Sequence, residues 1–270
     1  MQAFDMLSKL NIPSETLEVL HSTPLPCQHS QLKQLFFTQP KAFHHFASAN
    51  LSGLEILKLY LLWLEDTKAK YDALGIPESY FWDSCKDISI WCQDHLQRFG
   101  TPDFIEWGWV GKTLRMEVIR IGRLQFEPAL LDQILNLPEQ TVPAGTPILH
   151  VHIPAGEPLD PDAVLASMRQ APAFFRTYFG REFTLFHCHS WLLSPDLKAL
   201  IPKSSRIMKF QNLFHVYGAD SERQAEERVF GFLSEDPSTY PENTSLQCAV
   251  KQHLLRGNAV NMGVGIRLIP

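Results

Sequence analysis

Positive charge is in short supply: 24 Lys and Arg stand against 29 Asp and Glu, a formal net charge of −5. Gripping a phosphate backbone needs a basic face, so a nucleic-acid partner is not expected. Long apolar runs are also missing. The densest, Tyr60 to Leu64, is far too short to span a bilayer, and no membrane association is expected. The opening residues Met1-Gln2-Ala3-Phe4-Asp5 lack the basic and apolar regions of a secretion signal. Cysteine is sparse: Cys27, Cys85, Cys92, Cys188 and Cys248 are odd in number and form no Cys-x-x-Cys pair. Reduced thiols in a cytoplasmic protein are the expectation. Internal repeats and low-complexity tracts are absent from the sequence.

What is present is ordinary globular material. Hydrophobic residues make up 45% and charged residues 20% of the 270 positions, enough apolar surface for a packed core rather than a disordered chain. At about 150 residues per domain, two domains are expected. The first of them, residues 1–100, reads as all helical. Ser14 can cap a short helix, and Ser52-Gly53-Leu54-Glu55 has the form of a capping box flanked by Leu51 and Ile56. Gly75 stops the helix that follows and Pro77 starts the next. The stripe Phe81, Cys85, Ile88, Trp91, Cys92, His95 and Phe99 has helical spacing and reads as packing. Gly100-Thr101-Pro102 marks the boundary.

From residue 101 to 270 the periodicity turns to that of strands. Two strands, 104–110 and 116–126, are expected around a turn at Gly111-Lys112, followed by a short helix or turn over 128–137. Ile148 to Ile153 is a strong strand. Asp160 or Asp162 caps a long helix toward Phe179, which Pro172 should kink or split. Strands follow at 183–193, 208–217 and 260–269. Helices are expected after Ser194-Pro195, over 221–230, and over 246–256 behind a Thr244 cap. The class is α/β (α+β), a mixed, mostly antiparallel sheet flanked by helices, with parallel pairing around the long helix.

His150 and His152 alternate along one strand, and His187 and His189 along another, so each pair shares a face. If the strands are neighbours, four imidazoles approach one another. Three readings stay open: a general base, whose ordinary pKa near 6.5 suits the work; a metal site completed by Glu127; or hydrogen-bonded histidines lining a cleft. Glu127 ends its strand as a base acting through water or as half of a salt bridge. Arg123, like Arg120, pairs with Glu127 or holds a substrate carboxylate. Cys188 points to the face opposite the histidines, which argues against an acyl-cysteine. Ser190 shares the Cys188 face. Trp191 shares the histidine face, where it lines a substrate pocket or packs in a core.

The segments Arg120-Ile-Gly-Arg-Leu-Gln-Phe-Glu127, His150-Val-His-Ile-Pro-Ala-Gly156, Phe174-Phe175, His187-Cys-His-Ser-Trp-Leu-Leu-Ser-Pro195, Ile207-Met-Lys-Phe-Gln211 and Pro241-Glu-Asn-Thr-Ser-Leu-Gln247 carry a family likeness. Together they resemble bacterial acyltransferases built from an N-acyltransferase N-terminal domain and a GNAT-like C-terminal domain. The likeness is good over 115–270 and weaker over 1–100. It implies a direct transfer of an acyl group from acyl-CoA to an amine of a small molecule or peptide, without a metal. In such a fold two parallel strands splay apart and the amides of the CoA arm bind between them like a further strand. The resemblance puts the acyl-CoA contacts at His150, Val151, Ile153, Ala155 and Gly156, and the substrate contacts at Arg123, Ser190 and Trp191. It puts the base among Glu127, His152 and His189, and gives Tyr217 the protonation of the leaving thiolate. The pyrophosphate would meet the N-terminus of the following helix. Here the chain departs from the usual Gly-rich loop: Gly156 is its single glycine, and Glu157, Asp160 and Asp162 make it acidic. Ser205-Arg206-Ile207 replaces the Ser-Asn-Ile of many members. The alternatives are a metal-dependent enzyme built on the paired His-x-His strands, and a non-catalytic binding module on the same fold.

Overall fold

The computed structural model describes residue 6 and residues 8–136 and 141–269. The N-terminal residues 1–5 and residue 137, both read above, lie outside that set. The chain divides into two compact units, Met1–Ile121 and Gly122–Pro270.

The first unit is built of helices α1 (Ser14–Ser22), α2 (His29–Thr38), α3 (Pro40–Asn50), α4 (Gly53–Leu62), α5 (Leu64–Ala73), α6 (Glu78–Phe99) and α7 (Trp107–Leu114), closed by a short strand β1 (Ile119–Ile121). The capping box forms as read: the Ser52 hydroxyl accepts from the Glu55 amide, and the Glu55 carboxylate accepts from the Ser52 amide. Ser14 does not cap α1; Pro13 holds that position, and the Ser14 hydroxyl donates to Glu15. The core is aromatic. Phe36 lies 5.2 Å from Phe43 and 5.1 Å from Trp63, ring centre to ring centre, and all three are buried.

The expected strand over 104–110 is instead a short lead-in and the first half of α7. Gly108 and Gly111 look like turn residues in sequence, but both lie inside α7, and Gly111 serves close packing. A Cβ on Gly111 would sit 2.6 Å from the Tyr60 hydroxyl, and that hydroxyl donates to the Trp107 carbonyl at 3.0 Å. Tertiary contact has overridden a local signal.

The second unit runs β2 (Leu124–Leu130), β3 (Leu135–Asn136), β4 (Thr141–Val142), β5 (Pro147–His152), α8 (Pro161–Phe179), β6 (Leu185–Ser190), α9 (Leu197–Leu200), α10 (Arg206–Gln211), β7 (His215–Asp220), α11 (Gln224–Phe230), α12 (Ser245–Leu255) and β8 (Met262–Leu268). Within it the sheet order is β2-β5-β6-β8-β7, with β3 and β4 paired separately. Among the described strands of this unit β5 and β6 run parallel, and the β2/β5, β6/β8 and β7/β8 pairs are antiparallel. The mixed, mostly antiparallel sheet is therefore as expected, and the long helix makes the parallel crossover.

Some local readings change. Pro172 sits inside α8, which is continuous over its 19 residues; the helix forgoes one backbone bond there without being split. The segment 208–217 begins as helix, because the Ser205 hydroxyl accepts from the Met208 amide and starts α10. Of the short helix or turn expected over 128–137, both described ends are strand, in β2 and β3, and only 131–134 between them turns. Thr244 caps α12 as read, accepting from the Gln247 amide.

Alternation along the strands separates two faces. Phe126, Leu149, Val151, Phe186 and Cys188 are buried on one, where Phe126 and Phe186 lie 5.8 Å apart and α8 brings Phe174 and Phe175. Each such fully buried side chain contributes about 1.5–3 kcal/mol. The other face carries the histidines. Its lower end is closed by a core of Leu131, Leu135, Val142, Ile148, Leu185 and Ile266, against which Tyr217 packs. Among the described residues no helix is long and apolar enough to cross a membrane.

Candidate active site

The parallel ladder between β5 and β6 is short. It pairs Ile148 with Leu185, Leu149 with Phe186 and His150 with His187, and goes no further. Past that point Val151 and His152 stay registered with Phe126 and Gln125 of β2. Cys188, His189 and Ser190 stay registered with Gly265, Val264 and Gly263 of β8. Each strand follows its outer neighbour, and a wedge opens between them at the histidines.

Around the mouth of that wedge stands a row of hydrogen-bonded titratable groups. His152 Nε2 lies 3.0 Å from Glu127 Oε2. His150 Nδ1 lies 2.9 Å from His187 Nδ1, and His187 Nε2 lies 3.0 Å from the Tyr217 hydroxyl. The rings of His150 and His152 are 6.3 Å apart. His189 pairs with Asp220 at the end of β7, and both are more than one-third exposed, so this pair is wet and weak. Tyr217 reaches the row from a bulge, because the β7/β8 register slips between Val216 and Gly218. Bulges re-aim single side chains in this way.

Burial and the neighbouring imidazoles set the charges. Burial first, then His150 and His189, hold His187 down to about 4, so its ring is neutral at ordinary pH. Burial, then the negative charge of Asp132, raises the Tyr217 phenol above its usual range. Cys188 is fully buried on the opposite face, and burial pushes its thiol up. Covalent catalysis through this thiol is thereby disfavoured.

The remaining expected site residues fall elsewhere. Arg123 is buried; its guanidinium donates to the backbone carbonyls of Pro158 at 2.9 Å and Glu157 at 2.8 Å. It latches the loop after β5 to the start of β2. Ala155 and Gly156 form the exposed tip of that loop, and Gly156 has a φ of +87°. Val151 turns its side chain away from the histidines, so only its backbone borders the wedge. Ser190 is buried and accepts from the Leu192 amide, starting the turn Trp191–Leu193. Trp191 packs against the core made by α9, α11 and α12.

The start of α8 is already occupied. One carboxylate oxygen of Asp160 accepts from the amides of Asp162 and Ala163 at 3.1 and 3.0 Å, and Pro161 has no N–H. The donors that would meet a pyrophosphate there are engaged by the protein's own cap. Nor is there a metal-ligating cluster: among the described residues no group of three His, Cys, Asp or Glu side chains is arranged around a common point. The imidazoles bond to one another and to carboxylates instead.

Sequence reasoning gathered Glu127, His150, His152, His189 and Tyr217 without their partners. It did not assign His187 a role, though the His-x-His spacing pointed at it. It missed Asp220, whose approach depends on β7 lying beyond β8.

Replacing Arg123 with alanine removes both donors from the loop carbonyls. The expected result is a loss of about 1–3 kcal/mol in unfolding free energy, the worth of two hydrogen bonds from a charged donor to the loop. Urea denaturation checks this, and a loss under 0.5 kcal/mol would show that the loop holds without its latch.

The sequence matches the family model described as a GNAT-like C-terminal domain over residues 118–267 and that described as an N-acyltransferase N-terminal domain over residues 1–116. Solved structures of similar fold include an acyltransferase in complex with decanoyl-CoA and teicoplanin, 22% identical, with a TM-score of 0.80, covering 99% of this chain and 88% of that one. An acyltransferase in complex with decanoyl-CoA is 24% identical with a TM-score of 0.79, again covering 99% of this chain and 88% of the other. An acyltransferase mutant in complex with octanoyl-CoA is 22% identical with a TM-score of 0.80, covering 100% of this chain and 88% of that chain. At these identities the likeness is one of fold. No curated protein matches the sequence.

Proposed function

The chain belongs to the family whose model is the GNAT-like C-terminal domain, and from that premise we propose that it is an acyl-CoA-dependent N-acyltransferase whose donor arm enters between β5 and β6. The observation that carries the reading is the ladder that ends at His150 and His187. A thioester arm carries amides of its own, and a wedge between two strand edges receives such an arm as a strand would receive a neighbour.

The chemistry follows from the row at the wedge. An acceptor amine attacks the thioester carbonyl directly. His152, oriented by Glu127, takes the proton from nitrogen. Backbone N–H groups near Ile153 polarise the carbonyl and stabilise the oxyanion. Tyr217, a phenol that its burial keeps protonated to still higher pH, donates to the departing sulfur. His189 with Asp220 is the more exposed candidate for the base. The donors of the similar structures, octanoyl- and decanoyl-CoA, suggest medium-chain acyl groups here too. Teicoplanin in one of them suggests an acceptor amine on a small molecule or peptide.

Two measurements test this. Thermal unfolding with octanoyl- or decanoyl-CoA should raise Tm by several degrees, since a ligand at 100 times its Kd adds about 2.7 kcal/mol. Thiol release should then accelerate when an amine acceptor such as teicoplanin is added. Absence of any Tm shift with millimolar acyl-CoA would overturn the proposal.

A further inference from the structure

Both ring nitrogens of His187 are committed to protein partners, one to His150 and one to Tyr217. A ring so placed has no nitrogen left for substrate. It can act only through its neighbours. We infer that Tyr217, His187 and His150 form a proton relay in which His187 is a positioning residue that restores the Tyr217 hydroxyl after each turnover. This rests on the acyl-transfer reading above.

The argument begins with the short contact between two like atoms. Two Nδ1 atoms 2.9 Å apart make a hydrogen bond only when one of them carries the proton and the other does not. In a neutral imidazole the second nitrogen then has the opposite state. If His187 Nδ1 accepts from His150, its Nε2–H donates to Tyr217. If His187 Nδ1 donates, its Nε2 accepts from Tyr217. The two bonds reverse together, which is the behaviour of a wire and not of a clamp.

The groups facing His187 favour its neutral form. His150 and His152 lie on β5, His189 on its own strand, Tyr217 on β7, and Asp132 in the segment after β2. Burial and the three other histidines oppose a positive charge on the ring, while Asp132 favours it. Burial prevails, so the coupled reversal is available across the working range of pH.

The step balances as follows. The C–S bond of the donor breaks and a C–N bond forms. Nitrogen loses one proton to His152, and sulfur gains one from the Tyr217 O–H. The phenolate takes the Nε2 proton of His187, whose Nδ1 takes the Nδ1 proton of His150. His150 recovers a proton from solvent at Nε2, and His152 gives its own to solvent. One proton has left nitrogen and one has reached sulfur, with every protein group back in its starting charge state; both imidazoles then stand in the opposite tautomer, and the wire resets when solvent delivers a proton at the Tyr217 end as His150 Nε2 releases one.

The test uses His187→Gln, which keeps a donor and an acceptor but cannot exchange them between two ring nitrogens. With the acyl-CoA assay above, kcat should fall about 10- to 100-fold while KM for acyl-CoA changes less than twofold. The proton inventory of kcat in H2O–D2O mixtures, curved for the wild type, should become linear. His150→Gln should show the same change more weakly. Equal losses in kcat and affinity with an unchanged inventory would mean a structural role and overturn the relay. A wild type that releases no thiol would instead defeat the acyl-transfer reading, and the relay with it. If His187→Gln does not fold, ring 15N spectra of the wild type decide: tautomer-averaged shifts for His150 and His187 support the relay, and a single fixed tautomer for each overturns it.

Discussion

Replacing Glu127 with glutamine is expected to lower kcat for acyl transfer by about 10²- to 10³-fold, with little change in KM for acyl-CoA. The carboxylate lies 3.0 Å from His152 Nε2 and is one-fifth exposed. On the proposed mechanism, a negative charge in this partly dry setting stabilises the imidazolium that forms as His152 takes the amine proton. A glutamine can still hydrogen-bond and hold the ring, but it carries no charge to meet the one that develops. Asp220→Asn is the control. The His189–Asp220 pair is more than one-third exposed on both sides, so its loss should change kcat less than threefold. Initial rates of thiol release at saturating acyl-CoA decide the matter. A large effect of Asp220→Asn with a small one of Glu127→Gln would move the base from His152 to His189.

The largest expected effect on stability is from Gly263→Ala. Gly263 lies within β8, paired with Ser190 on one side and Ala219 on the other. A Cβ built there would lie 2.1 Å from the Leu193 carbonyl oxygen and 2.3 Å from its carbon. These are backbone atoms of the turn Trp191–Leu193, held between β6 and the start of α9, so they cannot simply rotate away. Overpacking of this kind typically costs 1–3 kcal/mol and occasionally more; contact with fixed backbone puts this case at about 4 kcal/mol. For a unit of this size that corresponds to a fall of roughly 10 °C in Tm. Gly265→Ala should cost less, because its nearest neighbour at 3.0 Å is the Leu193 Cδ1, the far end of a flexible side chain. A thermal melt followed by circular dichroism checks both. A loss below 1 kcal/mol at Gly263 would show that the turn is free to shift.

The sequence is legible where local chemistry decides. The Ser52 and Thr244 caps, the alternation of His150 with His152 and of His187 with His189, and the crossover through α8 all depend on residues close together in the chain. It is misleading where a distant residue decides. Gly111 mimics a turn because nothing nearby reveals Tyr60 pressing on α7. Ser205 starts a helix inside an apolar run that has the alternation of a strand. The functional row divides the same way. Glu127 and the four histidines could be singled out from their strands, but who bonds to whom follows from the sheet order. The 2.9 Å contact between His150 and His187 requires the parallel register, and the approach of Asp220 requires β8 to lie between β6 and β7. The sequence offers Arg123 a carboxylate as partner, and only the fold reveals that its guanidinium also holds two backbone carbonyls more than 30 residues away.

The register slip in β7 between Val216 and Gly218 makes the phenol of Tyr217 a passenger on one surplus residue. The sheet's core on that face rests on Ile148, Leu185 and Ile266, none of which depends on the slip. A one-residue deletion at this point would mend the ladder and carry the hydroxyl out of line while leaving the scaffold standing. On the proposed mechanism, the proton donor to sulfur and the apolar core that carries the sheet are thus set by separate residues.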